Sequence, residues 1–112
     1  SEMSQRSVRI SVYISEADKW HGRPLHLEVL RMRRRNGVAG GTVLRAVAGF
    51  TGKGGVETTS LVDAGGRLPL VIEFIDSAPK VEAVMPELKK MVGSRLIVRE
   101  GVEVEGSQGN NE

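Results

Sequence analysis

The fold is decided by a stretch close to the N-terminus, VRISVYI (residues 8–14). Apolar and polar side chains alternate along it, so Val8, Ile10, Val12 and Ile14 lie on one side of an extended chain. A period of two predicts a β-strand with one face in a hydrophobic core and the other outside it. The rest of the chain must therefore supply elements that cover one side of a sheet.

Two long helices are expected further along the chain. Apolar residues recur with helical spacing over residues 24–36 and again over residues 77–92, where Ser77 is a good N-cap residue. Gly37 and Gly93 follow these segments and favour helix ends there. The sequence thus provides two amphipathic helices, each able to pack against a sheet.

A shorter helical piece is predicted directly after the first strand. Ser15 is followed three residues later by Asp18, as in a capping box, and Gly22 supplies an end. We expect a single helical turn between Ser15 and Gly22.

Three more strands complete the pattern. They are predicted at residues 42–50, 68–76 and 95–100, and the last can continue through Val102 and Val104. Residues 51–67, between the second and third strands, contain five glycines and no clear period, which is typical of a long functional or flexible loop. The order of strands and helices predicts an α+β, ferredoxin-like βαββαβ fold, with a four-stranded antiparallel sheet and both helices on one face.

Such a sheet has one face that the helices do not cover. We expect Tyr13, Val43, Val47 and one alternate set of the third strand to line it. An apolar patch of that kind favours burial between copies of the chain, most simply in a ring.

Composition limits the choice of protein class. The chain has 112 residues, of which 39% are hydrophobic and 27% charged, as expected of one folded domain. We place that domain at residues 8–104, between a disordered N-terminus (1–7) and a disordered tail (105–112). Without cysteine, disulfides and thiolate chemistry are excluded, and the absence of a signal peptide or apolar span predicts a cytoplasmic protein.

Two stretches carry a family resemblance: YISEADKWHGRPLHLEVL (residues 13–30) and NGVAGGTVLRAVAGFTGKG (residues 36–54). Together they resemble the domain of unknown function 190 family, a PII-like group, over residues 8–104. The second stretch is also similar to PII itself, in which spaced glycines and a Thr-Val pair enter a strand that ends at a Gly-aromatic corner. The matching positions are Gly37, Gly40, Thr42, Val43, Gly49 and Phe50.

The resemblance implies a homotrimer of ferredoxin-like subunits with small-molecule clefts between them. It also implies that residues 51–67 form a flexible loop, the T-loop, which contacts a partner. PII proteins bind adenine nucleotides in these clefts. Here only DSAPK (residues 76–80) joins the third strand to the second helix, without the longer loop that grips phosphates in PII, so an adenine nucleotide and a small anion both stay open as effectors.

The candidate ligand-binding residues lie at both ends of the second strand. Glycines before a strand let backbone approach a ligand closely, and TGKGG (residues 51–55) can surround an anion with backbone N–H groups. Arg45 or Lys53 would neutralise a negative charge on the effector. The predicted set is Gly40, Gly41, Thr42, Arg45, Lys53 and Gly54.

Other chemistries are weaker. Asp18, His21, His26 and Glu28 contain metal-binding groups, but helical spacing does not bring them together, so no metal site and no required cofactor is predicted. The run RMRRR (residues 31–35) is interpreted as a solvated helix end rather than a nucleic-acid contact. No motif pairs a nucleophile with a base, so we expect no catalytic residues and no enzyme activity.

Three functional hypotheses remain. The first is a PII-like regulator that binds an effector between subunits and controls a partner, such as a membrane transporter, through residues 51–67. The second is a constitutive trimeric interaction module without a small ligand. The third is a nucleic-acid-binding ferredoxin-like domain, which a ring with inward-facing sheets would exclude.

Overall fold

The computed structural model of the chain describes residues 6–37, 40–46, 48–49, 57–58 and 68–106. Eight strands and two helices are present in these ranges. In chain order they are β1 (Ser7–Ser15), β2 (Lys19–Trp20), β3 (Arg23–Pro24), α1 (Leu25–Arg35), β4 (Thr42–Arg45), β5 (Ala48–Gly49), β6 (Glu57–Thr58), β7 (Pro69–Ser77), α2 (Ala78–Val92) and β8 (Leu96–Val102).

The main sheet has four strands in the order β4-β7-β1-β8, and every neighbouring pair is antiparallel. The decisive strand β1 lies in its interior, paired with β7 on one side and β8 on the other. With both long helices connecting strands of this sheet, the predicted ferredoxin-like α+β fold is confirmed.

The core lies between one face of this sheet and the two helices. The alternation in β1 places Ile10 opposite Phe74 and Val12 opposite Ile72, and these side chains are at most 2% exposed. Both helices turn their apolar stripe toward this face. Their contributions are Leu25, Val29 and Met32 from α1, and Val81, Val84, Leu88, Met91 and Val92 from α2.

Both long helices end where the sequence predicts. The hydroxyl of Ser77 accepts a hydrogen bond from the Lys80 N–H at 3.4 Å, which caps the start of α2. Gly37 and Gly93 have positive φ angles of 75° and 62°, a backbone region in which glycine carries no steric cost.

The predicted helical turn after Ser15 is wrong. Lys19–Trp20 and Arg23–Pro24 instead form a small antiparallel hairpin. His21 and Gly22, at its tip, both have positive φ angles, 52° and 79°, as a two-residue hairpin turn requires. The Ser15–Asp18 contact exists, because the Asp18 carboxylate accepts the Ser15 N–H at 2.8 Å, but it closes a turn and not a helix.

The second strand of the sheet is shorter than predicted. It leaves the main sheet after Arg45, and Ala48–Gly49 then pairs with Glu57–Thr58 in a separate two-stranded ladder. This ladder brings two residues of the predicted 51–67 loop back toward the end of that strand.

One ion pair joins the two chain connections at the same end of the sheet. The Arg95 guanidinium, between α2 and β8, donates to both carboxylate oxygens of Asp18 at 2.8 and 2.9 Å. Burial alone would raise the pKa of Asp18, but the hydrogen bonds from Arg95 and the Ser15 N–H outweigh it and hold that pKa below its ordinary value. The ionised carboxylate therefore stabilises the folded state.

We predict that Asp18→Asn lowers the free energy of unfolding by about 1 kcal/mol at pH 7, a value limited by solvent screening at this partly exposed pair. Because the folded-state pKa lies below the model value of 3.8, this stability is complete well above pH 3.8 and is lost as the pH falls through the folded-state pKa. Urea unfolding of both proteins as a function of pH measures it.

The matched control is Glu82→Gln, which removes a carboxylate paired with Arg99 on a more exposed surface. It should change the free energy of unfolding by less than about 0.5 kcal/mol. Equal effects of the two substitutions, or an Asp18 effect that survives in strong acid, would contradict this account.

Candidate functional site

The predicted Gly40–Thr42 segment forms a corner that joins α1 to β4, an edge strand of the sheet. Its two glycines differ in their surroundings. A Cβ on Gly41 would lie 3.0 Å from the Leu30 side chain, so Gly41 lets the corner pack tightly on α1. A Cβ on Gly40 would meet no atom within 4 Å, so the space beside this exposed residue is open.

The structure brings only part of the predicted site together. Gly40, Gly41 and Thr42 are consecutive at the start of β4, whereas Arg45 is at its other end. Thr42 pairs with Glu73 on the open face of the sheet, while the register places Arg45 on the opposite face. Lys53 and Gly54 lie outside the described residues.

Arg45 is also already neutralised. Its guanidinium donates to the Glu16 carboxylate at 2.5 Å, in the turn after β1. An effector would have to compete with this carboxylate for Arg45, which makes Arg45 a poor anion-binding residue.

A different arginine lies at the corner, and the sequence interpretation missed it. Arg33 is only 2% exposed and donates from Nη2 to the Gly40 carbonyl oxygen at 3.5 Å. The interpretation of residues 31–35 as a solvated helix end is therefore wrong for Arg33. It holds for Arg31, Arg34 and Arg35, which are exposed. The signal was available in the helical period, since Arg33 follows the buried Val29 by four residues.

The open face of the sheet carries a row of apolar side chains across all four strands. Cross-strand pairing links Leu44 to Val71, Val71 to Tyr13, and Tyr13 to Leu96. Leu44, Tyr13 and Leu96 are 51%, 38% and 60% exposed. Val98, 37% exposed, lies in the adjacent row.

One residue predicted for this face lies on the other side. Val43 pairs with the fully buried Ile72 and packs against the core, so the helix-facing side of β4 holds Val43 and the open side holds Thr42 and Leu44. Val47 lies outside the described residues. The expectation of an apolar open face is correct, but β4 contributes Leu44 to it.

Charged side chains occupy the other half of the open face. Arg9 on β1 donates to Glu100 on β8 at 3.1 Å and lies 3.9 Å from the carboxylate of Glu73 on β7. A surface with one apolar half and one charge-paired half suits an oriented protein–protein contact.

The weaker chemistries can be compared with the geometry. Asp18, a candidate metal ligand, has both carboxylate oxygens bound to Arg95. Within the part of the chain that is described, no three His, Asp or Glu side chains come together to hold a metal ion.

A cavity of about 390 Å³ lies between the helices and is lined by Trp20, Glu28, Lys90 and Met91 among others. The Arg35–Glu87 ion pair, at 3.2 Å, is part of its wall. Neither described helix is both long and apolar enough to cross a bilayer.

Fold and corner together define a PII-like protein of ferredoxin-like architecture. The profile of the DUF190 family, described as "Uncharacterized ACR", matches residues 7–104, and the chain belongs to this family. The resemblance drawn from residues 13–30 and 36–54 is thereby confirmed.

Relatives agree with this assignment. A UPF0166 protein of Aquifex aeolicus is 30% identical over 95 residues, covering 85% of this chain and 90% of its own. A UPF0166 protein of Methanocaldococcus jannaschii is 26% identical over 89 residues, covering 80% and 82%. Among solved structures, the designed protein Foldit4 covers 90% of this chain and 99% of its own at 15% identity and a TM-score of 0.46, too low to establish a shared fold.

The two corner glycines should respond differently to alanine. Gly41→Ala forces its new methyl group against Leu30 and should lower the free energy of unfolding by about 1 kcal/mol. Gly40→Ala meets open space and should change it by less than about 0.5 kcal/mol. Urea unfolding of the two variants measures the difference, and a larger loss for Gly40→Ala would refute the corner geometry.

Proposed function

We propose that the protein is a PII-like signal-transduction regulator that acts by binding and not by catalysis. Three copies assemble, a small effector binds in the clefts between them, and residues 51–67 pass the signal to a partner. The effector is an adenine nucleotide or a small anion, and the partner class we propose is a membrane transporter. The observation that carries the proposal is the position of the corner, on the edge strand that borders the uncovered sheet face.

Assembly is supported by the apolar row on that face. Leu44, Val71, Tyr13 and Leu96 form a continuous band that a single subunit leaves in contact with water. Burial of apolar surface contributes roughly 25 cal/mol per Å², which gives copies of the chain a reason to cover it. A small domain gains stability in the same step.

Assembly in turn creates the cleft. Thr42 starts the edge strand β4, and its side chain lies on the open face together with Leu44. A second subunit seated on that face would end beside Thr42, so its boundary and the open space beside Gly40 would form one cleft. This arrangement supports an effector site shared between subunits.

The corner can also pass on a change. β4 continues along the chain through Ala48–Gly49, which pairs with Glu57–Thr58 in the 51–67 segment. An effector that binds one arrangement of the corner more tightly than another shifts the population of the attached segment by that difference in affinity. The partner then senses the altered segment.

Effector binding is tested by calorimetry of the wild-type protein with ATP, ADP, AMP and bicarbonate. We expect at least one to bind, and Gly40→Leu to weaken that binding about tenfold or more, because its side chain fills the space beside the corner. The control is Gly101→Leu, which also meets open space but lies on β8, at the opposite edge of the sheet.

The control should bind as the wild type does, and circular dichroism should give the same folded spectrum for all three proteins. If none of the four compounds binds to the wild-type protein, the effector hypothesis is wrong and a ligand-free interaction module becomes the better description.

A further inference from the structure

One arginine of α1 is buried while its neighbours are not. Arg33 is 2% exposed, in the last turn of the helix, where Arg34 and Arg35 are exposed. A cationic side chain is rarely this buried unless a partner compensates its charge. The partners of Arg33 therefore decide what it does.

The charge of Arg33 is compensated in part. Its guanidinium carbon lies 2.9 Å from the centre of the Phe74 ring, a cation–π contact, and the carboxylate of Asp76 is close enough to favour the charged form. Burial lowers the pKa of Arg33 to about 9 in spite of Asp76, which leaves the guanidinium charged at neutral pH.

The hydrogen-bonding capacity of Arg33 is largely unused. Nε and Nη1 are buried and have no hydrogen-bond partner in the described structure. Nη2 reaches only the Gly40 carbonyl, at 3.5 Å, which is the outer limit of a hydrogen bond. Buried donors are almost always paired in folded proteins, and exceptions often mark a place that a ligand completes.

The space next to these donors is open. Gly40, whose carbonyl is the weak partner of Arg33, is exposed and has no atom within 4 Å of where a Cβ would be. An incoming group can therefore lie beside Gly40 and displace a carbonyl that is held only loosely. Guanidinium groups bind carboxylate and phosphate oxygens better than any neutral acceptor.

We infer that Arg33 is the anion-recognition residue of the corner, and that the effector carries an oxyanion, phosphate or carboxylate in type, which replaces the Gly40 carbonyl at its guanidinium. This inference rests on the proposed function and changes which residue neutralises the effector, since Arg45 is already bound to Glu16. Because the anion takes the place of a backbone contact, binding would release the corner from α1 and so change the start of β4.

The experiment is calorimetry with ATP, inorganic phosphate and bicarbonate on the wild type, Arg33→Leu, Arg33→Lys and Arg34→Leu. The three compounds separate a nucleotide phosphate from a free anion. Arg33→Leu should lose at least about tenfold in affinity, and Arg33→Lys should also bind more weakly, because an ammonium lacks the planar set of donors. Arg34→Leu, an exposed neighbour on the same helix, should bind within about twofold of the wild type.

Urea unfolding without ligand separates this role from a structural one. Replacing a buried charge by an apolar residue of similar size is often neutral or stabilising, so Arg33→Leu should stay folded. If it does not fold, Arg33→Lys, which keeps the charge, decides the question by its affinity alone.

The outcomes distinguish the two claims. Wild-type affinity in Arg33→Leu or in Arg33→Lys would overturn the assignment of Arg33 while effector binding stands. If the wild type binds none of the three compounds, both the assignment and the effector hypothesis fall.

Discussion

The structure depends on one constraint: two helices cover one face of a four-stranded sheet and nothing in the described chain covers the other. The core forms on the covered side, where Ile10, Ile72 and Phe74 are almost completely buried. On the other side the same strands expose a band of apolar side chains that runs through Tyr13 and Leu96. Since water contact with that band is unfavourable, assembly, the cleft at its border and the effector response all follow from how the uncovered face is buried.

Much of the fold can be predicted from the sequence because its strongest signals are local. The alternation in residues 8–14 and the apolar stripe of α2 each depend on a single period, and each matches the structure. The hairpin after β1 was missed because Ser15 and Asp18 make the same contact in a turn as in a helix cap. The face of β4 was misjudged because Val43 and Leu44 are both apolar, and only pairing with β7 decides which one is buried.

The candidate site was less predictable, because it depends on neighbours that are distant in sequence. Gly40 and Gly41 were found from their position before a strand, but their different roles depend on Leu30 and on the open space beside Gly40. Arg45 looks available in the sequence and is bound to Glu16 in the structure. Arg33 looks like one of several surface arginines and proves to be buried over Phe74, beneath the corner. Tertiary packing decided each of these cases, and no local pattern records it.

Sedimentation equilibrium of the wild-type protein, beside Leu96→Glu and Leu27→Glu, tests the central claim most directly. Both substitutions place a charge at an exposed leucine, but Leu96 lies in the apolar row and Leu27 on the helix side of the molecule. The account predicts a particle of three 12.1 kDa chains for the wild type and for Leu27→Glu, and dissociation of Leu96→Glu, because a buried carboxylate opposes the contact. A wild-type monomer at micromolar concentration, or a Leu96→Glu protein that assembles as the wild type does, would contradict it.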